Sequence, residues 1–100
     1  MPLLIYALDR PDMDDAREAV RDAHRRHLSA AGNQVLSAGA LLDDDRKTVI
    51  GGVTLLDTED RSAAERFAAD DPYAIAGIRT ETRVIPWRRR WWAGAFLGED

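Results

Sequence analysis

The stretch VLSAGALLDDDRKTVIGGVTLL, residues 35–56, decides the fold. Two apolar runs, residues 35–42 and 47–56, flank the polar Asp43-Asp44-Asp45-Arg46. Runs of this length bounded by turn-forming residues read as strands, and two joined by a short polar link read as a hairpin. Gly51-Gly52 falls in the middle of the second strand, where glycine marks a bulge or a close approach to the backbone. The three aspartates lack the glycine and distal glutamate of a calcium loop, so they read as a solvated turn.

The chain on either side of this hairpin repeats one pattern. Upstream, residues 3–8 form an apolar run too short for a helix, between Pro2 and Pro11, and apolar at both odd and even positions. This is a strand buried on both faces. Residues 12–31 contain no Gly or Pro and predict a long helix, opened near Asp12 and stopped by Gly32-Asn33. Ala16, Ala19, Val20, Ala23, His27, Ala30 and Ala31 share its broad apolar face, with Leu28 at the edge. Downstream, residues 60–69 predict a short helix capped by Asp60, with Ala63, Ala64, Phe67 and Ala68 as its stripe. Asp70-Asp71-Pro72 ends it, Pro72 opens another helical turn through Ala76, and residues 78–85 form the last strand.

The order is β-α-β-β-α-β. Two right-handed crossovers joined by a hairpin give an α+β, ferredoxin-like fold: a four-stranded antiparallel sheet with both helices on one face. The first and third strands, apolar on both sides, take its centre. The helices leave the other face open, and a second copy of the chain is the expected cover, sheet against sheet, in a homodimer.

The 100 residues allow one domain, residues 1–100, with its core in 3–87 and an Arg/Trp-rich tail in 88–100. There is no cysteine, which excludes disulfides, thiolate metal sites and a cysteine nucleophile. The net charge of −4 argues against a protein that coats nucleic acid, in spite of Arg88-Arg89-Arg90-Trp91-Trp92. No apolar run approaches the length of a membrane span and no signal sequence is present, so a cytoplasmic protein is expected. No glycine-rich phosphate loop, dinucleotide fingerprint or nucleophile elbow occurs, and no cofactor is expected.

Few side chains remain to carry chemistry. His24, in mid-helix at the edge of the apolar face, reads as a general acid or base, or as a half-buried helix residue. His27, one turn on, forms H-x-x-H with it, but no further ligand pattern supports a metal site, and none is expected. Asp71 reads as a carboxylate able to orient an imidazole, or as the cap of the turn that Pro72 opens. Arg21, one turn before His24, reads as a cation for an anionic substrate, or as a solvated arginine.

Together these pieces resemble the YciI-like (YCII-related) domain family. The resemblance rests on Leu4-Ile5-Tyr6-Ala7, Val20-Arg21-Asp22-Ala23-His24 with Leu28, Leu36-Ser37-Ala38-Gly39, Asp71-Pro72-Tyr73-Ala74 with Ala76-Gly77, and Val84-Ile85-Pro86-Trp87. It implies a dimeric α+β barrel and an acid–base pair, with His24 moving a proton and Asp71 holding its ring. Arg21, Tyr6 and Tyr73 are then the expected substrate-binding residues. The family's dehydrochlorinase branch implies lyase or isomerase chemistry, a proton transfer or elimination on a small cyclic or aromatic molecule. The alternative is a non-catalytic ligand-binding or regulatory dimer of the same fold. Three features depart from the family: the turn after the first helix is short, the hairpin loop is compact, and the Arg/Trp-rich tail has no counterpart in the shared pattern.

Overall fold

The computed structural model describes residues 1–98. The elements are β1 (Leu3–Asp9), α1 (Asp14–Ala31), β2 (Val35–Leu42), β3 (Val49–Leu56), α2 (Arg61–Ala69), α3 (Pro72–Ile75) and β4 (Arg79–Pro86), then two short strands, β5 (Trp91–Trp92) and β6 (Ala95–Phe96). The four long strands form one antiparallel sheet in the order β2-β3-β1-β4, so the first and third strands are central, as their two-sided apolar pattern predicts.

Register fixes which side chains share a face, because paired residues point the same way and successive ones alternate. Leu3 pairs with Leu56 and Ile5 with Val84 on the face toward the helices. There Leu3, Ile5 and Leu56 meet Ala64 and Ala68 of α2, with Val35, Phe67 and Val84 packed around them. The small alanines let α2 lie close to the strands.

Helix α1 behaves differently. None of its residues is fully buried. Its main packing partner is α3 rather than the sheet, and a cavity lies between it and the β2–β3 half of the sheet.

Element boundaries differ from the expected ones for local reasons. The helix predicted from Asp12 begins at Asp14. Asp12 instead occupies the left-handed turn that reverses the chain, φ +61°, and Met13 takes the cap position without a side-chain bond. Strand β3 begins at Val49 rather than Lys47, because Asp45 Oδ1 accepts the amide N–H groups of Lys47 and Thr48 and holds them in the turn. Asp60 caps α2 as expected, accepting from the Ala63 N–H at 3.2 Å. Gly51 is the close approach that its place in the strand predicts: a Cβ there would stand 2.1 Å from the Ala7 carbonyl oxygen. The tail closes into the β5–β6 hairpin, and Trp87 and Trp92 line a pocket with Leu4 and Leu55 on the sheet face away from the helices.

Candidate functional site

Asp71 sits where α2 ends and α3 begins. Its extended backbone, φ −61° and ψ 128°, is what a residue before proline must adopt. That conformation turns its carboxylate over the start of α3, where Oδ1 accepts the Tyr73 N–H at 2.9 Å. The same oxygen accepts from His24 Nδ1 at 2.8 Å, and Oδ2 faces Arg79 Nη1 at 3.4 Å. The side chain is 5% exposed. Burial is the largest single influence on its pKa and pushes it up. The hydrogen bonds from His24 and the Tyr73 amide, with the charges of Arg79 and His24, together outweigh it and hold Asp71 below the ordinary carboxylate value. An ionised carboxylate only accepts, so His24 carries a proton on Nδ1. In the neutral ring Nε2 then holds the lone pair.

The imidazole is fixed from a second direction. Tyr73 stacks on it with centroids 4.0 Å apart and planes 17° from parallel. The Arg17 guanidinium lies 4.2 Å from the same Tyr73 ring. Arg17 and His24 are seven residues apart, about 10 Å along the helix, so the tyrosine ring is held between them. Arg17 is in turn held by Asp9, Nε to Oδ2 at 2.7 Å. Asp9 stands at the register shift that follows Leu8, opposite Arg79.

His24, Tyr73, Arg17 and Arg79 line the cavity beneath α1, which measures about 440 Å³. Its floor is the middle of β2 and β3, including Ala38, Ala40, Gly52 and Thr54. Glycine and alanine here keep side chains out of the space.

Of the five residues expected at the site, the structure brings together His24, Asp71 and Tyr73. Arg21 lies elsewhere. Three residues from His24 is about 60° short of a full turn, and Arg21 points outward to Glu18 at 2.6 Å. Arg17, at seven residues, drifts only about 20° and stays on the histidine's face. Tyr6 also lies elsewhere: it pairs with Val53 and Arg83 on the sheet face away from the helices. His27 is engaged in structure, with Nε2 donating to the Phe67 carbonyl at 2.8 Å and its ring stacked on Phe67. The sequence reading passed over Arg17, which the seven-residue spacing to His24 could have found. It also passed over Arg79, whose position depends on strand register and left no local signal.

The model of the YCII-related domain matches residues 1–88. An uncharacterized protein of Haemophilus influenzae is 32% identical over 96 residues, covering 89% of this chain and 98% of the relative. Protein YciI of Escherichia coli is 29% identical over the same span. Among solved structures, the 5-chloro-2-hydroxyhydroquinone dehydrochlorinase TftG of Burkholderia phenoliruptrix, in complex with 2,5-dihydroxybenzoquinone, superposes with a TM-score of 0.78. That pair is 27% identical, and the match covers 88% of this chain and 94% of the enzyme.

Proposed function

The chain belongs to the YCII-related domain family, and from that premise we propose that it is a small-molecule enzyme in which His24 and Asp71 form an acid–base dyad. The observation that carries this reading is the 2.8 Å contact between His24 Nδ1 and a buried, ionised Asp71, on the wall of an open cavity. Nε2 takes a proton from a ring hydroxyl or ring carbon of the substrate. Asp71 keeps the tautomer and stabilises the imidazolium that forms. In an elimination, the electrons of the broken bond move into the ring and the leaving group departs with its own bonding pair. His24 then returns its proton to water. The likeness to a dehydrochlorinase supports this choice of reaction class.

We further propose that the working form is a homodimer joined sheet to sheet. Leu4, Tyr6, Leu8, Leu41, Val53 and Ile85 share the face that no helix covers. Placed there, Tyr6 belongs to the subunit contact rather than to the cavity.

The test is turnover of chlorinated hydroxyquinols, read as chloride release. His24→Ala should abolish it with the fold retained, and Asp71→Asn should lower kcat by about 100-fold or more. Ligand binding by the unaltered protein with no turnover of any such compound would replace the enzyme reading with that of a binding dimer.

A further inference from the structure

The protein carries a net charge of −4, yet among the described residues three arginines line its cavity and no carboxylate does. Arg79 is the most committed of them. Its side chain is 9% exposed, its Nη1 faces Asp71, and its Nε has no hydrogen-bond partner among the described residues. Its one ion pair among the described residues is the 3.4 Å contact to Asp71, and the guanidinium borders the cavity, so an acceptor from outside the chain can pair with it there. The floor beside it is empty by construction. A Cβ at Gly52 would reach to 3.9 Å from Arg79 Nη2 and 3.3 Å from the Gly39 carbonyl oxygen, so any side chain there would occupy the space in front of the guanidinium. Arg17, tied to Asp9 through Nε and laid on Tyr73, presents a second cation to the same cavity.

We propose that Arg79, with Arg17, selects the ligand by binding an ionised oxygen on a flat ring, and that Gly52 leaves the room for that ring. This deepens the reading of the cavity as a substrate site and rests on it. Arg79 is the specificity-determining residue: it holds the oxyanion while His24 meets the proton to be moved. A bare hydrocarbon ring or a neutral ether would desolvate the cavity side of these guanidinium groups without giving them an anion, which disfavours both.

The experiment compares two probes on the full chain by isothermal titration near neutral pH. The first is 2,5-dihydroxybenzoquinone, an acidic enol that is ionised there. The second is 2,5-dimethoxybenzoquinone, the same ring with nothing to ionise. The expected result is a preference of about 10- to 100-fold for the ionised probe. Arg79→Gln should erase the preference, and Arg79→Lys, which keeps the charge but not the planar fork, should retain part of it. His24→Ala should keep the preference while losing turnover. Equal affinity of the unaltered protein for the two probes, or binding of neither, would overturn the proposal. So would a full preference in Arg79→Gln whose melting curve shows it folded. If His24→Ala kills turnover and no preference exists, the dyad stands and this proposal fails. If the preference exists and turnover ignores His24, the reverse holds.

Discussion

Asp71 does two jobs with one oxygen. Read from the sequence, the aspartate before Pro72 offers either a helix cap or a partner for His24, as alternatives. The structure shows that they are compatible, because a carboxylate oxygen has two lone pairs and accepts the Tyr73 amide and the His24 ring together. Its depressed pKa has a consequence for stability. A carboxylate whose folded pKa is lowered binds fewer protons when folded than when unfolded. Its contribution is therefore fully present above the unfolded value, about 3.9, and is lost as pH falls through the lower folded value. Asp71→Asn should cost about 2–4 kcal/mol at pH 7, since it leaves the His24 N–H and the Arg79 charge without their anion. Urea unfolding of both proteins from pH 7 to pH 3 should show a gap that is flat down to about pH 4 and narrower below it. A gap that ignores pH would mean that Asp71 binds its proton equally well folded and unfolded, and a gap that widens toward low pH would mean that it is protonated in the folded protein. The residues that escaped the sequence reading, Arg17 and Arg79, lie among other charged residues. Only the pairing of Arg79 with Asp9 beyond the register shift, and the heptad step from Arg17 to His24, give them away.

The elements were legible in the sequence wherever a local signal set them. The alternation of strands and helices, the glycine stop after α1, the Asp60 cap and the Gly51-Gly52 pair all act over a few residues. What was not legible depends on how α1 sits, since its apolar stripe says that it packs but not that it bridges a cavity. One of the contacts that hold it reaches α2. The Phe67 carbonyl is among the last four of α2, which have no partner within that helix, and the His27 N–H satisfies it from α1. His27→Ala removes both this bond and the stack on Phe67, and should cost about 1–3 kcal/mol, seen as a Tm lower by about 5–15 °C. Probe binding in the cavity should persist below the new Tm. An unchanged Tm would show that α1 is held by other contacts. The glycines of β3 separate in the same way. Gly51→Ala drives a methyl into the Ala7 carbonyl and should cost about 3 kcal/mol or more, whereas Gly52→Ala meets nothing nearer than the Gly39 oxygen at 3.3 Å and should fold. Equal melting temperatures for the two variants would contradict the register of β1 and β3.

At the scale of the whole molecule, the sheet has one face served by helices and one that is not. The tail hairpin brings Trp87 and Trp92 over Leu4 and Leu55, but it begins at the end of the sheet and leaves Tyr6, Leu8 and Leu41 to either side of Val53 without a helix. The family match ends at residue 88, so this hairpin lies outside the family's shared domain. Neither its pairing nor its position could be read from a run of arginines and tryptophans, because a two-residue ladder has no periodicity. An uncovered apolar face on so small a domain is stabilised most simply by its own copy, which presents the same residues across a two-fold axis. Light scattering during gel filtration should therefore give twice the chain's 11.2 kDa at micromolar concentration, with a Tm that rises with concentration. Tyr6→Glu places one charge on each side of that contact. It should shift the mass toward the monomer without altering the His24–Asp71 pair, which lies on the opposite face of the sheet. A chain that runs as a monomer, with a Tm independent of concentration, would leave the tail hairpin as the only cover of that face and would return Tyr6 to the solvent.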